Sequence, residues 1–362
     1  MADQVTNYQC PNCLGALRFD GGQNMMVCES CDTTFEIAVI EQMFADKEQA
    51  AADAGTEPRW DISLSNNFSA EEAADLRAYT CPSCAAEIIC DSTTAATSCP
   101  YCDNPTVVPG QFSADLRPDY VVPFKLDKKA ATAALQAYYK GKKFLPKSFS
   151  AGNHIQDIKG VYVPFWLFDG ETSASMRFSA TREKTYKSGD YEITETDHYR
   201  VVREGTVVFE KVPVDASSKM PDEHMDSIEP YDFGELKPFS TAYLPGFMAD
   251  KYDEDAEKCS ERANKRIVAS TEDAFRRTVA DYATVTREHS NIDLKSGEVK
   301  YALLPVWMLS TKWDGKDYLF AMNGQTGKLI GDLPIDKVKF FGWLFGLTVP
   351  IAIVLSMILS AL

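Results

Sequence analysis

The longest uninterrupted apolar stretch of the chain is Phe340 to Leu362, FFGWLFGLTVPIAIVLSMILSAL, with no charge in 23 residues. At about 1.5 Å per residue a helix of this length reaches roughly 34 Å, enough for a hydrocarbon core of about 30 Å, so it is expected to be a single transmembrane anchor. Pro350 removes one backbone donor near its middle and is expected to kink it. Upstream, polar and apolar positions alternate at shorter periods. Tyr120 to Phe124 reads as a strand and Asp127 to Lys143 as a helix with Ala130, Ala134, Leu135 and Tyr138 on one side, closed by Gly141 and Pro146. Asp253 to about Ala283 reads as a longer helix whose apolar side holds Ala256, Cys259, Ala263, Ile267, Ala274 and Thr278. Gly160 to Phe168 and Tyr301 to Leu309 are buried-looking strands displaced by 141 residues, each with a proline two residues before a tryptophan. Alternating runs follow both. SASMRFSATR, YEITETDHYRVVRE and GTVVFEKVPV come after the first, with turns at Gly189-Asp190 and Glu204-Gly205; KDYLFAMN and GKLIGDLP surround Asn323-Gly324 after the second. The pattern predicts an α+β domain over 111–336 built from two related sheet halves.

Before that domain the chain is organised by cysteines. Cys10-Pro11-Asn12-Cys13 is followed after fourteen residues by Cys28-Glu29-Ser30-Cys31, and Cys81-Pro82-Ser83-Cys84 is followed at the same spacing by Cys99-Pro100-Tyr101-Cys102. Every ligand of the second set lies 71 residues after its counterpart, and Tyr8, Asp20 and Asp32 recur as Tyr79, Asp91 and Asp103. Two Cys-x-x-Cys turns can aim backbone amides at their sulfurs while four thiolates close a tetrahedron around a d¹⁰ ion, so the pattern predicts tandem zinc ribbons with two Zn²⁺ per chain. Rubredoxin-like iron uses similar ligands, and redox-active Cys-x-x-Cys would need a thioredoxin-type βαβ surround that the sequence lacks. Each pair of turns is expected to enclose a β-hairpin, as at Asp20-Gly21-Gly22. Cys90, aligned with Phe19, and Cys259, on the apolar side of a helix, are expected to be buried hydrophobes.

The expected domains are a ribbon over 1–40, an acidic Ala-rich spacer over 41–78, a second ribbon over 79–110, the α+β domain over 111–336 and the anchor over 337–362. In the spacer, Ser69-Ala70-Glu71-Glu72 has the form of a helix-capping box, and Trp60 and Phe68 are candidates for docking a partner or for packing on a ribbon.

The formal charge of -16 becomes about -20 once eight thiolates hold two zinc ions. Residues 1–40 carry one basic side chain, Arg18, against five acids, and residues 79–112 carry none, which argues against phosphate-backbone binding by the ribbons. Lys125, Lys128, Lys129, Lys140, Lys142, Lys143 and Lys147 form the one basic region, read either as a solvated face or as a surface meeting anionic headgroups or an acidic partner. Lys328, Lys337 and Lys339 precede the anchor with nothing basic after it, and the opening MADQVTNYQC has no signal-peptide pattern, so the N-terminal bulk is expected in the cytoplasm. Gly342 and Gly346, continued by Ala352, Ser356 and Ser360, form a small-residue spacing through which two tails can pair into a homo-oligomer. No phosphate loop, paired-carboxylate motif or nucleophile elbow is present, and His154, His198, His224 and His289 are scattered. No catalytic and no cofactor-binding residue is therefore assigned beyond the eight metal ligands.

The tandem Cys-Pro-x-Cys turns, the paired proline-tryptophan strands and the hydrophobic tail together resemble a bacterial family labelled TFIIB-type zinc-ribbon-containing proteins, sometimes primosomal-helicase-like. Members of that family are encoded beside relatives of phage-shock protein A. The resemblance implies a non-enzymatic adapter that recruits such a protein to the inner face of the membrane under envelope stress. The alternative from another class is a membrane-tethered nucleic-acid-binding regulator.

Overall fold

The computed structural model describes residues 17–20, 25–28, 33–40, 60–62, 67–94, 96, 98–105, 107–110, 116–150 and 157–361. It divides into two compact units, Met1–Arg59 and Trp60–Leu362. In the first unit β1 (Leu17–Asp20), β2 (Met25–Cys28) and β3 (Thr34–Glu36) pair antiparallel in that order. Cys10, Cys13 and Cys31 lie outside the described residues.

The second unit is a mixed α+β structure on one large sheet. Its strands are β4 (Leu76–Thr80), β5 (Glu87–Asp91), β6 (Val108–Gly110), β7 (Tyr120–Val121), β8 (Lys159–Ser188), β9 (Tyr191–Asp215), β10 (Lys237–Pro238), β11 (Met248–Asp250), β12 (Thr284–Trp313), β13 (Lys316–Asn323) and β14 (Leu329–Gly331). The order is β10-β7-β12-β8-β11-β5-β4-β6, with β9 beside β8 and β13-β14 beside β12. Its helices are α1 (Ala70–Ala74), α2 (Lys128–Tyr139), α3 (Lys147–Ser150), α4 (Asp222–Ser227), α5 (Ala256–Arg277) and α6 (Lys337–Ala361).

The two proline-tryptophan segments, expected in separate sheet halves, are neighbours in this sheet. β8 and β12 pair antiparallel, Val163 opposite Leu304 and Trp166 opposite Tyr301, so the 141-residue repeat is a local two-fold. The flanking strands obey it: Tyr120 and Val121 run parallel to Ala302 and Leu303, while Met248 and Ala249 run parallel to Val161 and Tyr162. A helix follows each flanking strand, capped at its N-terminus by Asp127 or Asp255. Buried Ala131, Leu135 and Tyr139 of α2 recur 128 residues later as Cys259, Ala263 and Ile267 of α5. The repeated units are thus β7-α2-β8-β9 and β11-α5-β12-β13, and each lends its first strand and helix to the other. Helix α2 packs Leu135 and Tyr139 against Trp307, Leu309 and Phe320, whereas α5 packs Ala263 and Ile267 against Trp166, Phe168 and Val214. Both tryptophans fasten the exchange: Trp166 Nε1 donates to the Glu254 carbonyl at 2.9 Å and Trp307 Nε1 to that of Leu126 at 3.0 Å, each the residue before a helix cap.

Several expected details shift. The buried face of α2 is Ala131, Leu135 and Tyr139, one residue round from the predicted stripe, and Gly141 at φ +82° supplies the left-handed turn beyond its end. In α5 Thr271 and Phe275 are buried in place of the expected Ala274 and Thr278. The run of short strands after Trp166 is two long ones. Gly189-Asp190 is the turn between them, but Glu204-Gly205 lies inside β9. The reason is an unbroken alternation: Thr172, Ala174, Met176, Phe178 and Ala180 of β8 all face inward, where Phe275 and Val279 cover four of them and Thr271 bonds the hydroxyl of Thr172. The expected spacer also divides differently. Ser69 and Glu72 form the reciprocal capping box of α1, but Trp60 is buried, donates its Nε1–H to Asn264 of α5 at 3.0 Å and lies edge-on to Phe168, so it is core of the second unit and not a docking residue.

Leu135 is fully buried where α2 crosses to the other repeat. Leu135→Ala is expected to lower the unfolding free energy of the detergent-solubilised chain by about 2 to 5 kcal/mol, read from its urea midpoint, because the interlocked sheet cannot collapse onto the void.

Candidate metal centre

The second Cys-x-x-Cys pair is assembled by two turns with the same backbone. Cys81 follows β4; its N–H donates to the Ala86 carbonyl at 2.9 Å and its carbonyl accepts from Ala85 N–H at 2.9 Å. Cys99 repeats this with Asn104 at 2.9 Å and Asp103 at 3.1 Å. The fifth residue of each turn, Ala85 at φ 57° and Asp103 at φ 54°, is left-handed, which turns the intervening amides inward. Cys81 therefore accepts from the amides of Cys84 and Ser83, and Cys99 from those of Cys102 and Tyr101.

The four sulfurs lie within 4.8 Å of one another, with Cys81–Cys102 and Cys84–Cys99 both at 3.6 Å. A disulfide would need about 2 Å, whereas a tetrahedron of metal–sulfur bonds near 2.3 Å has edges of about 3.8 Å, so the donor set fits one tetrahedral metal ion. The electrostatics point the same way. Burial raises the thiols of Cys84 and Cys99, and at Cys81 burial is outweighed by the amides of Cys84 and Ser83 together with the neighbouring Cys102 and Cys84 sulfurs, which bring the thiol down to about 7. Four sulfurs this close ionise together only around a cation.

This cluster is not a free-standing ribbon. Among the described residues no strand stands between β5 and Cys99, and β5 pairs with β4 and with β11 of the large domain. The expected boundaries at 79 and 111 therefore divide what the sheet joins. Cys81, Ile88, Cys90, Cys99 and Tyr101 share one buried cluster with Val161, Val163, Phe165, Val306 and Met308 of the central strands. Lys159, the first residue of β8, clamps the second turn, with Nζ 2.5 Å from Ser98 Oγ, 3.2 Å from the Cys99 carbonyl and 3.5 Å from Asp103 Oδ1. Cys90 and Cys259 are buried core thiols as expected, both raised by burial, to about 11 and about 12.

Two polar clusters went unread in the sequence. Beside the metal centre, buried Asp250 accepts from Ser217 Oγ at 2.6 Å and faces the Tyr101 hydroxyl; burial raises its pKa to about 7. Farther along α5, Arg262 bridges Asp215, Asp222 and Asp226 at 2.6 to 2.8 Å and Arg266 grips Glu229. The matched four-residue spacings of Arg262/Arg266 and Asp222/Asp226 were the available signal. Asp222 is thus turned to Arg262, while His224 faces Asp332 at 3.5 Å.

Helix α6 runs continuously through Pro350, and Lys337–Met357 is long and apolar enough to cross a membrane, with none of it buried in the protein. The chain is therefore an α+β protein with a four-cysteine cluster able to hold a metal ion and one candidate C-terminal membrane span. It is 34% identical over 343 residues to uncharacterized protein YdjG of Bacillus subtilis (strain 168), covering 95% of this chain and 94% of that protein, and it belongs to the same family. No family model matches the chain, and no solved structure does.

Because the folded pKa of Asp250 lies above the ordinary value near 4, its contribution is fully present below about pH 4 and is lost as pH rises through about 7. Denaturant titrations of the chain and of Asp250→Asn are expected to diverge across that window, with the variant gaining about 1 to 4 kcal/mol relative to the parent, and to run parallel above pH 8.

Proposed function

We propose that the chain is a non-enzymatic, membrane-anchored zinc-ribbon adapter that recruits a cytosolic protein of the phage-shock-protein-A type to the inner face of the membrane in envelope stress. The observation that carries this reading is the closed four-cysteine cluster, which has four protein donors, no vacant corner for substrate and walls made of the domain's own core. Such a centre serves folding and the presentation of a surface. A second Zn²⁺ is assigned to Cys10, Cys13, Cys28 and Cys31. The N–H of Cys28 donates to the Thr33 carbonyl at 3.0 Å, the same five-residue bond that Cys81 and Cys99 make, which supports a third turn of this kind. The resemblance of the ribbons and tail supplies the partner and the cytoplasmic side, and pairing of tails at Gly342 and Gly346 belongs to the same reading.

Elemental analysis of the full chain purified from membranes is expected to give two zinc ions per chain. Affinity capture is expected to recover a coiled-coil phage-shock-type protein, with recovery lost in Cys10→Ser/Cys13→Ser, a change confined to the separately compact first unit. Iron, or no metal, overturns the zinc assignment. Capture of chaperones alone, or salt-sensitive binding of DNA or RNA, overturns the adapter and favours the nucleic-acid regulator.

A further inference from the structure

The lysines expected as one basic region fall into separate groups. Lys125 is paired with Glu235 at 2.8 Å, and Lys128 and Lys129 open α2, whereas Lys140, Lys142, Lys143 and Lys147 follow its end. The helical residues 130–139, about 15 Å of rise, lie between the last two groups. The second group is the one that meets the start of α6. Asp336 N–H donates to the Phe144 carbonyl at 2.8 Å, Phe340 packs edge-on to Phe144 at 5.6 Å, and Lys339 reaches the Leu145 carbonyl at 3.4 Å. The Asp336 carboxylate accepts from Lys339 N–H at 3.1 Å and pairs with its ammonium at 3.0 Å, fixing the first turn of the helix. The loop 140–147 and the root of α6 are therefore one surface, with no slack linker between the domain and the helix.

Trp343 sets the depth of that surface. The Lys143 ammonium lies 5.0 Å from the centre of its ring. Tryptophan beside a run of apolar residues takes the interfacial level of a bilayer. From Leu344 to the helix end at Ala361 the rise is about 27 Å, close to the hydrocarbon thickness of about 30 Å, so the bilayer boundary falls at Trp343 and alongside the loop. Residues 140–147 contain four lysines and no acid, and residues 336–343 add Lys337 and Lys339 against the single paired Asp336. This charge contrasts with a chain of formal net charge -16.

We propose that Lys140, Lys142, Lys143 and Lys337 form a collar that binds the anionic phospholipid headgroups around α6 and seats the domain directly on the membrane surface. The proposal rests on reading α6 as the anchor. Lipid phosphate is favoured over an acidic protein because these lysines lie beside the point where the chain meets the bilayer, and Lys143 is already held at the depth of Trp343. Polybasic surfaces of this kind respond to the anionic lipid fraction and lose their grip in high salt, where the Debye length falls to about 3 Å.

The test uses the full chain in nanodiscs of phosphatidylcholine alone and of phosphatidylcholine with one-third phosphatidylglycerol. An amine-reactive reagent is quantified by mass spectrometry at Lys140, Lys142, Lys143 and Lys337, with exposed Lys129 at the far end of α2 as the internal reference. Labelling of the collar is expected to fall about threefold or more in the anionic discs, to recover in 1 M salt, and to leave Lys129 unchanged. Equal labelling in the two lipids overturns the collar while leaving the anchor intact, and collar lysines protected only when an acidic protein is added do the same. Failure of the anchor itself reads differently, as a chain that does not co-purify with the discs and is released from membranes by alkaline carbonate.

Discussion

Four cysteine sulfurs packed against the paired strands β8 and β12 are the constraint on which the second unit depends. The two turns that present them are built by their own backbone bonds, yet their outer walls are Val161, Val163, Phe165, Val306 and Met308, the residues that hold the large sheet together. Four thiols this close, those of Cys81 and Cys99 buried, cannot stand together as anions without a cation. β11 pairs with β5 on one edge and with β8 on the other, so a single short strand ties the cysteine-bearing segment to the central strands of the domain.

The repeat explains why so short a flanking strand suffices. β7 and β11 contribute two and three residues, but each is followed by a helix that crosses to the other repeat and is pinned there by a tryptophan N–H. Exchange of first strand and helix makes the two halves mutually dependent, and neither Trp166 nor Trp307 has its carbonyl partner within its own repeat. Pro164 and Pro305, unusual within central strands, keep their carbonyls in use: Ala216 N–H donates to the first at 2.9 Å and Gly324 N–H to the second at 2.8 Å.

The parts of this architecture legible in the sequence are those fixed by local chemistry. Cysteine spacing locates the turns, apolar length locates α6, Asp127 and Ser69 mark helix starts, and the proline-tryptophan pair announces a duplication, whereas the expected start at Asp253 falls two residues before the true cap, Asp255. Long-range pairing was not legible. Nothing in GVYVPFWLF or YALLPVWML says that the two segments are each other's partners, since a buried strand reads the same beside any neighbour. Glu204-Gly205 looked like a turn because a glycine beside a charge usually is one, but the covering helix α5 rewards continuous alternation through it. The packing partners of Trp60 are hidden in the sequence for a similar reason: Asn264 and Phe168 are more than a hundred residues away. The Asp250–Ser217 pair and the arginine network of α5 likewise depend on elements that meet only in the folded sheet.

Hydrogen exchange of the full chain before and after removal of bound metal by a chelator tests the central claim most directly. If the four-cysteine centre is part of the large domain's core, metal removal deprotects β11 and the first residues of β8, Lys159 to Phe165, together with the turns at Cys81 and Cys99. Loss of protection confined to residues 81–104, with β8 and β11 unchanged, would contradict it.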